Sequence, residues 1–102
     1  MTDDFKSINE MINYSSGGII SKVIFKGKDN QITLFCMAKD TDIGEYTSTK
    51  EGFVYVIDGE GIFNLDGKDI SIGPGILIQM DRNAKHSIIA QENTSFLLFL
   101  TK

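Results

Sequence analysis

His86 is the only histidine among the 102 residues, and Cys36 is the only cysteine. Those two side chains bound the available chemistry. An imidazole can act as a general acid, a general base or a polar anchor, because histidine titrates near neutral pH. A transition metal needs about three or four protein ligands of suitable type, so a multi-histidine centre is excluded by count. Cys36 lies between Phe35 and Met37 and reads as a buried core thiol, with no second cysteine to form an intrachain disulfide. Ser71, Ser87 and Ser95 lack the flanking glycines of a nucleophile elbow. Asp58-Gly59-Glu60-Gly61 and Gly73-Pro74-Gly75 read as turns, because no helix follows either one to complete a phosphate cradle.

The elements that must position His86 are strands. Residues 52–86 read GFVYVIDGEGIFNLDGKDISIGPGILIQMDRNAKH, short apolar runs split by Asp-Gly and Gly-Pro-Gly. Strands are expected over 19–26, 31–38, 45–48, 53–57, 62–65, 70–72, 76–80, 86–90 and 95–101, with a polar loop over 39–44. Asp58-Gly59 and Asp66-Gly67 are both hairpin signals. Eight or nine closely spaced strands predict an all-β antiparallel sandwich or small barrel. Within strand 86–90, His86, Ile88 and Ala90 share one face.

Residues 3–14 are the one helical candidate: Phe5, Ile8, Met11 and Ile12 fall on one face, with Thr2 as a cap and Asp3 and Asp4 favoured by the dipole. Ser15-Ser16-Gly17-Gly18 ends it, so the chain divides into a leader, 1–18, and a barrel, 19–102. Several strands are apolar on both faces. Phe53, Tyr55 and Ile57 back onto Val54 and Val56, and Phe96, Leu98 and Leu100 back onto Leu97 and Phe99. A single barrel leaves one sheet face wet, so these strands need a second cover from the leader or a partner chain. The expectation is a homodimer packed through sheet faces.

Apolar residues make up 41% of the chain, enough for one core, and the length fits one domain. The net charge of −4 is spread along the chain; with no basic patch, no nucleic-acid partner is expected. The opening MTDDFK is acidic where a signal peptide would be basic and apolar, and the longest apolar run, 96–100, is too short to span a bilayer. With the lone cysteine, these features predict a cytoplasmic protein without membrane association.

The spacing around His86 resembles the second motif of the cupin family: glycine, five residues, Pro-x-Gly, two residues, histidine, three residues, asparagine. From Gly75 it places Asp81 at the proline, Asn83 at the second glycine, His86 at the histidine and Ala90 at the asparagine. Asparagine tolerates the left-handed backbone that a glycine supplies there. Val54-Tyr55-Val56-Ile57-Asp58-Gly59-Glu60-Gly61 is similar to the end of the first cupin motif. Counting back from Gly59 puts Gly52 at its glutamate, with Glu51 one residue off. The two histidine positions fall at Tyr46 and Ser48, or at Glu45 and Thr47 with the shorter spacing. Compact stand-alone cupins carry a short leader and one His-Thr-Ser step, which reads Tyr46-Thr47-Ser48 here.

The resemblance implies a cupin double-stranded β-helix, a jelly-roll barrel. In metal-binding cupins it also implies three histidines and a glutamate around a transition metal. No cofactor is expected here; the one set left for a metal is His86 with Tyr46 and an acid, Glu45 or Glu51. In cupin order Tyr46, Ser48, Val54, Val56, Ile78 and Met80 lie near His86 and Ile88 and complete a small pocket for an organic ligand, in which His86 is a polar anchor or a general acid/base. The alternative is a histidine hydrogen-bonded to Tyr46 or Ser48 that contributes only to packing. A lumen packed solid with side chains fits the same composition. The function expected is small-molecule binding without redox chemistry. The alternatives are an enzyme, metal-assisted or using His86 and Tyr46 as an acid/base pair, and an interaction module acting through a sheet face.

Overall fold

The computed structural model describes residues 4–101. Among them are one helical turn, α1 (Ile8–Met11), and nine strands: β1 (Ile19–Lys26), β2 (Asn30–Met37), β3 (Asp42–Tyr46), β4 (Glu51–Asp58), β5 (Gly61–Leu65), β6 (Lys68–Ile72), β7 (Leu77–Met80), β8 (His86–Ala90) and β9 (Thr94–Thr101). They form two antiparallel sheets, ordered β1-β2-β9-β4-β7 and β3-β8-β5-β6. The jumps in order mean that the chain crosses between sheets. The result is the double-stranded β-helix expected from the sequence.

Turn chemistry fixes the crossings. Asp66 and Gly67 have φ of 50° and 86°, the pair of positive values that a two-residue turn of right-twisted hairpin strands requires. That turn joins β5 to β6 with Leu65 opposite Lys68. The second expected hairpin, at Asp58-Gly59, is not one: β4 and β5 belong to different sheets. Gly59, at φ 107°, carries the chain between the sheets, and a Cβ there would strike Thr94 and the Asn93 carbonyl. Thr94 seals this end: its buried hydroxyl accepts from the Glu60 N–H and shares its proton between the Glu92 and Glu60 carbonyls.

Alternation puts the inward faces of the two sheets against each other. Met37, Val54, Val56, Phe63, Ile72, Ile78, Met80, Ile88 and Phe96 belong to this main core. A second, smaller cluster of Ile24, Leu34 and Cys36 lies on the outer face of the five-stranded sheet. Ile8, Met11, Ile12 and Tyr14 of the leader pack on it together with Ile57 and Leu97. The strands that read as apolar on both faces thus have the leader as cover over part of their outer side.

The expected helix over 3–14 shortens to the four residues of α1; its first residue, like the cap Thr2, lies outside the described residues. Ser7 stands at the N-cap position without a side-chain cap bond, and Ile12 is already extended at ψ 123°. One turn cannot pay its nucleation entropy from propensity, so docking decides the conformation, and the extended leader reaches further across the sheet. Phe5, expected on the docked face, is 82% exposed. The third strand also moves: β3 starts at 42, inside the expected polar loop, and ends at 46, two residues short of the expected strand's end, because Asp42 and Ile43 pair with Ile89 and Ile88 of β8.

Candidate functional site

His86 opens β8 at the end of the barrel opposite Thr94, paired with Tyr46 on one side and with Leu65 on the other. It enters from the loop after β7, where Asn83 has φ 65°. That left-handed residue is the asparagine expected to stand in for a glycine, and its N–H donates to the Ser48 carbonyl at 2.7 Å. The loop bearing His86 is thereby tied to the loop after β3.

The imidazole is held by rings. It stacks on Phe63 of β5 with centroids 5.9 Å apart and planes at 4°, and it meets Tyr46 edge-on at 5.6 Å and 72°. Its described polar contact is long, 3.4 Å from Nδ1 to the Ala84 carbonyl. A carbonyl cannot donate, so the proton in this contact sits on Nδ1, and Nε2 is left without a protein partner among the described residues. The expected bond from His86 to Tyr46 or Ser48 is therefore replaced by a ring contact. Ser48 is not on a strand with Tyr46 either: it follows β3 in a loop, and its Oγ accepts from the Lys50 N–H at 3.1 Å.

Around His86 the barrel is hollow. A cavity of about 430 Å³ opens at this end, and Tyr46, Ser48, Val54, Met80, His86 and Ile88 all line it. Tyr46 forms its rim, 60% exposed. The other two residues expected there, Val56 and Ile78, do not line the cavity; both sit in the main core. They lie on the inward faces as alternation requires. Val56, however, is one pair further along β4, toward the Thr94 end, where the core packs the lumen solid. The lumen is therefore part open and part filled.

The wall on the five-stranded sheet is where sequence reasoning stopped short. Gln31, Thr33 and Phe35 of β2, with Phe96, Leu98 and Leu100 of β9, also line the cavity, beside Ser21 and Val23 of β1. Phe35 and Phe96 stack at 5.0 Å and 7°, and the Gln31 amide donates to Thr33 Oγ1 at 3.3 Å. Alternation within 31–38 separates these residues from Ile32, Leu34 and Cys36 but does not say which set faces the lumen. None of the described residues lining the cavity bears a fixed charge. A second concavity at the closed end, bounded by Lys39, Asp58, Glu60 and Glu92, is a shallow, solvated surface where Lys39 and Glu92 pair at 3.8 Å.

The donor set does not fit the metal centre that the cupin resemblance implies. Among the described residues no three of His, Cys, Asp and Glu gather to hold an ion. Glu45 is exposed, and Glu51 pairs with Thr101, in the opposite phase to the inward Gly52. At Gly52, the glutamate position, an added Cβ would meet Met80 Cε at 3.0 Å, Leu100 Cδ2 at 3.1 Å and the Phe99 carbonyl at 3.1 Å. Apolar side chains have closed over the place where the acid would stand.

On the outer side of the barrel, the Tyr14 phenol has a displaced titration. Burial pushes its phenol above the ordinary value, the neighbouring Ser95 hydroxyl pulls the other way, and Asp58 and Cys36 add to the rise. The two hydroxyls lie close, yet neither makes a well-formed hydrogen bond, and both are shut off from solvent.

The whole outline is shared with known structures. A protein of unknown function from Streptococcus pyogenes superposes with a TM-score of 0.88 over 100% of this chain and 90% of its own, at 20% identity. A cupin superfamily protein from Desulfitobacterium hafniense gives 0.89 over 99% and 94%, at 16% identity. A cupin 2 conserved barrel domain protein from Leptotrichia buccalis, 28% identical, gives 0.86 over 92% of this chain and 46% of its own. No curated protein matches the sequence. Residues 33–101 match the model of the cupin domain, from β2 through β9, and the chain belongs to the cupin family.

Proposed function

We propose that this cupin binds a small organic molecule in its lumen, without a resident transition metal and without redox chemistry. The observation that carries this reading is the cavity of about 430 Å³ around His86, within the size range of small-molecule sites. It has the make-up of such sites, mostly apolar walls with a minority of polar groups: the His86 imidazole, the Gln31 amide and the hydroxyls of Ser21, Thr33, Tyr46 and Ser48. The ring contact between Tyr46 and His86 supports binding over an acid/base pair, since its described geometry is edge-to-face and includes no bond from the phenol to the imidazole. A thermal-shift screen of uncharged organic compounds should yield hits whose stabilisation is lost in His86→Ala. Hits that stabilise His86→Ala equally would place binding elsewhere.

The same reading includes a homodimer. The leader leaves part of the outer face bare: Tyr55 and its cross-strand partner Leu77 are exposed, Leu77 by 63%. A second copy covering this face would bury them. Light scattering should give twice the chain mass, and Leu77→Lys should halve it; a wild-type monomer at micromolar concentration would contradict the dimer. No helix among the described residues is long and apolar enough to cross a membrane. The unpaired, buried Cys36 suits a reducing compartment such as the cytoplasm.

A further inference from the structure

We infer that the lumen selects an uncharged ligand carrying a flat ring with both a hydrogen-bond donor and an acceptor at its edge, and that it rejects anions; this rests on the lumen being a small-molecule site.

Charge comes first. The described lining has no lysine, arginine, aspartate or glutamate. An ion entering an apolar cavity gives up its hydration, a loss tolerated only where an opposite charge and hydrogen bonds replace it. A carboxylate or phosphate would find no fixed cation there, and the chain's net charge of −4 adds a repulsive field. An ammonium would find no fixed anion.

Shape follows from the rings. Phe35 and Phe96 form a parallel pair on the five-stranded sheet, and Phe63 and His86 form another on the four-stranded sheet. The two pairs line the lumen from opposite sheets, so a flat ring meets aromatic side chains on both sides.

The polar groups define the edge. Thr33 Oγ1 already accepts from Gln31, so its own proton is left to donate to a ligand acceptor. The Nδ1 proton of His86 is directed at Ala84, so Nε2 is left to accept from a ligand donor. A hydroxyl or an amide satisfies both; a carboxylate satisfies one.

Four probes of similar size separate these demands: benzyl alcohol, benzoate, benzylamine and cyclohexylmethanol. Each is titrated into the full chain at pH 8 and followed by the amide resonances of the lumen residues. Benzyl alcohol should bind at least tenfold tighter than benzoate or benzylamine and several-fold tighter than cyclohexylmethanol. Thr33→Val, which keeps the side-chain shape, should weaken benzyl alcohol several-fold while leaving cyclohexylmethanol less affected. Equal binding of benzoate, or of all four probes, would overturn the selectivity while leaving the lumen as a binding site. Binding of none would overturn both.

Discussion

Removing the ring on which His86 rests is the sharpest perturbation of the site's frame. Phe63 is 1% exposed, among the largest fully buried side chains, and it contacts both the main core and the cavity. Truncating a buried phenylalanine to alanine costs about 3–5 kcal/mol, the spread reflecting how well the space relaxes. Here the vacated space adjoins a cavity already open to solvent, so water can enter it and the dry-void penalty shrinks. Phe63→Ala should therefore fall in the lower half of that range, about 3–4 kcal/mol. For a domain of this size each kcal/mol moves Tm by about 4–8 °C, a fall of roughly 12–30 °C. Phe63→Leu, which keeps most of the volume, should lose roughly 1 kcal/mol. Urea unfolding followed by far-ultraviolet circular dichroism reads both, as the chain has no tryptophan to report by fluorescence. A loss below about 1 kcal/mol for Phe63→Ala would mean that the ring is not packed as described. A loss above 5 kcal/mol would mean that the adjoining space is dry and closed.

Thr94→Val removes the hydroxyl that serves the Glu60 N–H and two carbonyls at the sealed end. It should cost about 1–3 kcal/mol in the same urea assay, the penalty of orphaned buried groups. Asn83→Gly should be close to neutral, whereas Asn83→Val should lose about 1–2 kcal/mol, because a left-handed residue at φ 65° has no room for a branched Cβ. The folded chain holds the Tyr14 proton more tightly than the unfolded chain does. That contribution to stability is complete below the ordinary phenol value of 10.0 and is lost as pH rises through it toward the higher folded value. Chemical denaturation between pH 8 and 11 should show this loss in the wild type and a shallower one in Tyr14→Phe; equal slopes would contradict a buried phenol.

Period-two alternation and Asp-Gly and Gly-Pro-Gly punctuation are strong signals, and they placed eight of the nine strands close to their observed positions. β3 was shifted because Asp42-Ile43-Gly44 carries little strand propensity, and pairing with β8 alone holds it. The helix failed for the opposite reason: local periodicity was present, but a few residues with no working cap cannot hold a helix against docking on the sheet. Six of eight pocket residues line the cavity because inward phase follows from alternation. Val56 shares that phase but sits deeper, in the packed core, and depth along a barrel has no local sequence signature; Ile78 lies level with Val54 but on the edge strand β7, packed into the core. The β2 and β9 wall escaped for a similar reason. Residues 31–38 and 95–101 are apolar on both faces, and only the sheet order shows which face meets the lumen.

Nuclear Overhauser contacts from a bound uncharged probe report whether the lumen around His86 receives a small molecule. The single histidine gives one set of imidazole ring signals, free of overlap from others of its kind. Bound benzyl alcohol should show contacts to the His86 ring and to Phe63 and Leu98, all of which line the cavity. Contacts confined to the outer sheet face, at Tyr55 and Leu77, or none at all, would contradict binding in the lumen.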